Sequence, residues 1–411
     1  MKKYFLLLII SLIIPALQLK AQDNFIKDLL EKNSDLFGEV LSKLDSFEVQ
    51  IIYTQIDRDR DNFPTFTTYS LNNTPEFYFY PASTAKFPVA LTALEKINRL
   101  NIPGLDKYTS FKIDSVRAPQ STVLIDKSSP NGLPSIAQYI KKIFLVSDND
   151  AYNRLYEFVG QKEINKTLHE KGFKDLKIVH RFAAGFSAEE NRYTNPITFY
   201  EGDRIIYEQP AQFNEENYSF ELKNLIKGKG YLDAADSLIN EPFDFTNKNY
   251  ISLESLNEIL KTVIFPESQP ESKRFNLTGD DYKFLYKYMS MLPHESNNPS
   301  YDSTYIDSFV KFFMFNENDC SKKNIRIFNK VGLAYGFLTD IAYIVDFENG
   351  VEFMLSAVIH VNKNGIYNDN IYEYNTIGLP FFSNLGKVIY NYELTREREI
   401  KPDLNKFVIK Y

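Results

Sequence analysis

Strand signals stand at the two ends of this chain and helical signals fill the long stretch between them, so the fold must leave a sheet, make a helical excursion and return to the sheet. Near the start, Glu48–Ile56 alternates and is rich in β-branched residues. Phe77–Tyr80 reads as the close of a second strand after the Asp-, Asn- and Pro-rich turn Asp57–Pro64. Near the end, Ile325–Val331, Thr339–Phe347 and Val351–Val361 read as three more, the last two joined at Asn349-Gly350. Between them the apolar spacing predicts helices over Thr84–Leu100, Ser135–Phe144, Asp150–Val159, Gln161–Lys171, Leu253–Ile264 and Asp280–Met291. An amphipathic helix over Phe25–Leu44 precedes the sheet and another over Ile371–Tyr390 closes the chain. The expected fold class is α/β (α+β): an antiparallel five-stranded sheet flanked by N- and C-terminal helices, with a large helical lobe inserted and an active site at the seam. Residues 22–82 and 325–392 form the sheet lobe on this reading, 83–324 the helical lobe and 393–411 a tail. The Tyr-, Asn-, Glu- and Gly-rich stretch 196–249 reads as an insertion folded over the helical lobe.

Composition narrows the setting. Lys2 and Lys3 precede an apolar run from Tyr4 to Leu17 that ends at the small residue Ala21, the pattern of a signal peptide over residues 1–21. The run is shorter than the roughly 20 apolar residues of a membrane span, so the mature chain, 22–411, is expected to be periplasmic or secreted without stable membrane insertion. Cys320 is the only cysteine, which rules out an internal disulfide and leaves packing to hold the fold. A formal charge of −7 with no long basic run gives no footprint for nucleic acid. The histidines, His169, His180, His294 and His360, do not cluster at metal spacing, so neither a metal nor another cofactor is expected. A small molecule or cell-wall material acting on a monomer is the expected partnership.

Three short motifs carry chemistry. Ser83-Thr84-Ala85-Lys86 opens the first helix of the excursion, and its offset puts Ser83 and Lys86 on one helical face. The helix start lends partial positive charge to the serine, and a lysine out of water can lose its proton near neutrality and serve as a base. Ser308-Phe309-Val310-Lys311 has the same pattern, so the tetrapeptide alone is weak. Ser147-Asp148-Asn149 is sharper. It also suits a helix cap, and a rigid helix start is a good seat for a proton-relaying hydroxyl. Lys330-Val331-Gly332 lies on the first returning strand; Lys363-Asn364-Gly365 fits the same pattern but follows the last strand.

Ser-x-x-Lys, Ser-Asp-Asn and Lys-x-Gly in this order resemble class A β-lactamases and penicillin-binding proteins, over nearly the whole mature length. The resemblance implies that Ser83 attacks an amide carbonyl, Lys86 helps to take its proton, Ser147 relays a proton to the leaving nitrogen, and Asn149 holds Lys86 and a substrate amide. It implies further that Lys330 binds a substrate carboxylate, Gly332 lets substrate lie against the strand, and the N–H groups of Ser83 and Leu333 form an oxyanion hole. The rival Ser308 has no Ser-x-Asn downstream. Two departures stand out. Val331 replaces the usual Thr or Ser, and Arg181-Phe182-Ala183 replaces the Arg-Trp-Glu whose glutamate activates the deacylating water; Glu189 or Glu190 could supply that carboxylate from a differently shaped loop. The implied activity is hydrolysis of a β-lactam amide through an acyl-enzyme, with slow deacylation. The competing readings are a D-alanyl-D-alanine peptidase of cell-wall metabolism and a non-catalytic cell-wall binding module.

Overall fold

The computed structural model describes residues 24–314 and 324–411. The proposed signal peptide and Cys320 lie outside the described residues. The main sheet has five antiparallel strands, β1 (Gln50–Arg58), β2 (Pro64–Leu71), β3 (Ile325–Ala334), β4 (Phe337–Asp346) and β5 (Val351–His360), in the order β3-β4-β5-β1-β2. Every residue of β4 is buried, because both faces of the sheet are covered. On one face Phe328, Ile341, Tyr343 and Met354 join the large core of the helical lobe. On the other, Ile327, Leu338, Ala342 and Phe353 pack with the N-terminal residues Ile26 and Leu30 and with the closing helix. Burying each large apolar side chain contributes roughly 1.5–3 kcal/mol, which fits a chain that relies on packing.

The helices are α1 (Lys86–Leu100), α2 (Ile136–Val146), α3 (Asn149–Val159), α4 (Gln161–Glu170), α5 (Leu253–Ile264), α6 (Gly279–Ser290) and α7 (Leu379–Thr395). Their starts are chemically marked. Ser135, Asp148, Ser252 and Thr278 each accept a backbone N–H of the first turn, and Asp281 completes a capping box with Thr278. Ser356 Oγ on β5 donates to Asn257 Oδ1 on α5 at 2.9 Å, fixing that helix on the sheet.

Four expectations are corrected. The second strand is Pro64–Leu71, and Phe77 makes only an isolated bridge to Lys223 while Tyr78, Phe79 and Tyr80 are buried in the core. This edge strand is half exposed, starts at a proline that an edge tolerates, and so lacks a clear buried face. The N-terminal helix is broken into 24–31, a 3-10 turn Ser34–Leu36 and Gly38–Ser42, the last two parted at Gly38, which takes a left-handed φ of +49°. The closing helix begins only after a π turn at Tyr374–Gly378 and runs on to Thr395. The stretch 196–249 does not simply lie over the helical lobe. Its hairpin Ile197–Glu201/Arg204–Gln209 does pair with Ser110–Ile113 of that lobe, but Gly230–Leu232 pairs in parallel with Ile366–Tyr367, which follows β5. Phe243 and Phe245 pack on Tyr335 in the β3–β4 turn at 5.4 and 5.5 Å. The insertion therefore bridges the lobes beside the Ser83 turn, since Phe245 also lies 6.0 Å from Tyr80.

Candidate active site

Ser83 sits on a 3-10 turn, Ala82–Ala85, that runs directly into α1 at Lys86. The turn is held by Thr84, whose N–H and hydroxyl both donate to Pro81 O, at 3.1 and 2.6 Å. Ala82 takes a positive φ of 46°, a costly conformation for a residue with a Cβ, and such strain gathers where side-chain placement matters.

Lys86 is fully buried. Its Nζ donates to Asn149 Oδ1 at 2.7 Å, to the Ser147 carbonyl, and more weakly to Ser147 Oγ at 3.4 Å. Burial pulls its pKa down to about 7, against the opposing pull of Asp148. Ser147 can present both carbonyl and hydroxyl because it ends α2 in the left-handed conformation, φ 57°. Asp148 is spent on capping, accepting Ala151 N at 2.8 Å. One turn thus combines a helix cap from Asp148 with a Ser147 hydroxyl and an Asn149 amide oxygen set beside Lys86.

Lys330 reaches the same hydroxyl from the sheet. Its Nζ donates to Ser147 Oγ and to Val331 O, both at 2.8 Å. Burial, and then the positive charge of Lys86, push its pKa well below the usual lysine range. One serine hydroxyl therefore lies between two amines that are both primed to give up a proton, which suits it to proton relay. Two residues on, Gly332 allows β3 to press on the Ser83 turn: a Cβ there would lie 2.5 Å from Pro81 O and 3.2 Å from Ser83 N. Ser83, Ser147, Asn149 and the two-fifths exposed Leu333 line a single cleft of about 1050 Å³.

The structure does not bring Glu189 or Glu190 to this cleft. Glu190 is partly exposed and accepts the Ser187 N–H at 2.7 Å, which holds its pKa low, and the exposed Glu189 lies 4.0 Å from Arg192. Ala183 is exposed with φ 49°. The side chain that faces Lys86 is Phe182, whose buried ring centroid lies 5.3 Å from Nζ. Its backbone is clamped by Asn153, which accepts Phe182 N at 2.8 Å and donates to Phe182 O at 2.9 Å. The loop base is pinned by the buried ion pair Arg181–Glu157, with Glu157 also accepting Asn195 N. The sequence reading missed Phe182 and Glu157; the only local signal was the Arg181-Phe182 dipeptide itself. His180 behaves as a packing residue, stacked 4° from coplanar with Tyr80 and pushed down to about pKa 4 by burial.

Residues 40–209 match the model of the beta-lactamase enzyme family. No curated protein matches the chain. Similar solved structures include a β-lactamase from Sphaerobacter thermophilus DSM 20745, 9% identical over 87% of this chain and 95% of that one, with a TM-score of 0.47. An ancestral class A β-lactamase (GNCA) is 11% identical over 89% and 99%, TM-score 0.45, and PBP-A is 14% identical over 84% and 89%, TM-score 0.43. The family match takes in Ser83, Lys86, Ser147 and Asn149, ends before Lys330 and spans less than half of the chain.

Proposed function

We propose that this chain is an exported serine hydrolase that opens the amide of a β-lactam through an acyl-enzyme on Ser83. The observation that carries the reading is the buried Lys86 amine, one turn beyond Ser83 and bonded to Asn149 at 2.7 Å. Ser83 Oγ attacks the carbonyl carbon as Lys86 takes its proton, and the N–H groups of Ser83 and Leu333 receive the developing oxyanion. Ser147, between Lys86 and Lys330, delivers a proton to the departing nitrogen. An arriving substrate carboxylate restores the charge on Lys330, and that amine anchors it without the hydroxyl that Val331 lacks. No helix among the described residues is long and apolar enough to cross a membrane; export rests on the N-terminal sequence pattern.

The test is the pH dependence of penicillin acylation, followed by intact mass. Below the Lys86 pKa the amine carries a proton and cannot act as a base; above it the neutral form can. The acylation rate is expected to rise with pH with a midpoint near 7. Lys86→Arg, which keeps its proton at all these pH values, should be slower by about 10²–10⁴-fold and should lose the rise. A wild-type rate that stays flat from about pH 5 to 9 would remove Lys86 from this role.

The close approach at Gly332 gives a second expectation. Gly332→Ala forces β3 off the Ser83 turn, since backbone atoms stand at 2.5 to 3.2 Å from the new Cβ. Overpacking of this kind costs roughly 1–3 kcal/mol of stability, and a displacement near 1 Å should slow acylation by about 10²-fold. Thermal melting and acylation kinetics of the one variant measure both.

A specific observation keeps a second reading alive. Phe182, not a carboxylate, faces Lys86. This favours an enzyme that acylates readily and deacylates slowly, as a D-alanyl-D-alanine peptidase or penicillin-binding enzyme would with penicillin.

A further inference from the structure

The cleft that holds Ser83 does not stop at the catalytic groups. Past Val146 and Ser147 it runs along the free edge of β3, between residues 305–312 and the start of α7. This extension is apolar: Ile306, Phe309 and Leu333 are each about two-fifths exposed there, at 43%, 42% and 41%, and Val331, Leu379 and Pro380 line it with them. Such side chains standing open in a concave surface are unusual unless something apolar covers them. Its charge is one-sided. Among the described residues, the only carboxylate in the lining is Asp148, which is used as a helix cap, and Lys387 lies on the α7 wall with no ion-pair partner.

We infer that the leaving-group side of this site takes an apolar body ending in an anion, so that the favoured substrate is an amide whose amine portion is an anionic amphiphile rather than a single amino acid. The inference rests on the proposed acyl transfer at Ser83. In that reaction the bond from Ser83 Oγ to the acyl carbon forms, the carbon–nitrogen bond breaks, and the amine leaves with a proton from Ser147. The amine therefore departs on the side that Ser147 and Val146 share with the apolar wall. Val331, at the cleft's edge, offers no hydroxyl to a carboxylate close to the reacting bond. A long amine portion thus sets its terminal anion beyond the place where Lys330 holds the carboxylate of a penicillin, at Lys387.

Three amides that share one acyl group and differ only in the amine, glycine, dodecylamine or ω-aminododecanoate, give the same adduct on Ser83 and so isolate the leaving side. The expected order of acylation rates by intact mass is ω-aminododecanoate, then dodecylamine, then glycine, with the first at least ~10-fold above the last. Lys387→Gln should bring ω-aminododecanoate down to the dodecylamine rate, and Phe309→Ala should shrink the advantage of both long amines over glycine. A glycine amide that reacts as fast as the long ones overturns the inference, and so does equality of the two long amines in the wild type. If none of the three acylates while penicillin does, the inference fails and the acyl-transfer reading stands. If penicillin fails as well, both fall.

Discussion

Ser83→Ala is expected to abolish the covalent adduct with a reporter penicillin, a loss of at least ~10⁴-fold in acylation, while Ser308→Ala retains the adduct. The contrast matters because both Ser-x-x-Lys serines line the same cleft. They differ in what their lysines do. Lys86 bonds into the Ser147–Asn149 turn beside Ser83. Lys311 instead points into a separate buried set, donating to Met289 O and Asn329 Oδ1, both at 2.6 Å. Asn329 Nδ2 continues to Asp340 Oδ1 at 2.8 Å. Burial pulls the Lys311 pKa down and pushes that of Asp340 up, and Asn329 links the two in a set that does not include the Ser308 hydroxyl. Peptide mapping of the adduct in the two variants decides between the serines. An adduct that survives Ser83→Ala and disappears in Ser308→Ala would reverse the assignment.

The parts legible in the sequence were those whose cause is local. Leu253–Ile264 was read with its observed bounds because its apolar residues repeat at the helical period and Ser252 caps it. The strands β4 and β5 were visible as apolar runs around Asn349-Gly350, where Gly350 takes φ +64°. Ser83 and Lys86 could be placed on one face because their offset spans a single helical turn, whereas Ser147, 61 residues from Lys86, was joined to them only through the resemblance. What was illegible depends on partners far along the chain. Thr65 to Ser70 shows no clean alternation because β2 is a half-exposed edge that pairs only with β1. The insertion has no period of its own because its aromatic residues are buried by others far away, Phe245 against Tyr367 at 5.3 Å for example. The same holds for the deacylation question. The sequence located the departure at Ala183, yet the residue that turns toward Lys86 is Phe182, and that depends on the Arg181–Glu157 pin and the Asn153 clamp.

That placement of Phe182 sets the largest remaining expectation, which concerns turnover. Water attacking an acyl-serine needs a base to take its proton, and its absence should cost a factor on the order of 10² to 10⁴. Near Lys86 this chain offers the aromatic ring of Phe182, and neither Glu189 nor Glu190 lines the cleft. Acylation suffers less, because Lys86 with its pKa near 7 can serve that step. The acyl-enzyme should therefore accumulate: about one equivalent of opened penicillin per enzyme in a burst, slow release thereafter, and a stable mass adduct on the peptide that contains Ser83. Glu189→Gln and Glu190→Gln should leave the slow phase as it is, since neither carboxylate reaches the cleft. Steady hydrolysis with no detectable adduct would mean that some group does activate water. Conversion of fast turnover into a trapped adduct by either glutamine variant would identify that group, and would require the loop from Arg181 to Asn195 to rearrange when substrate binds.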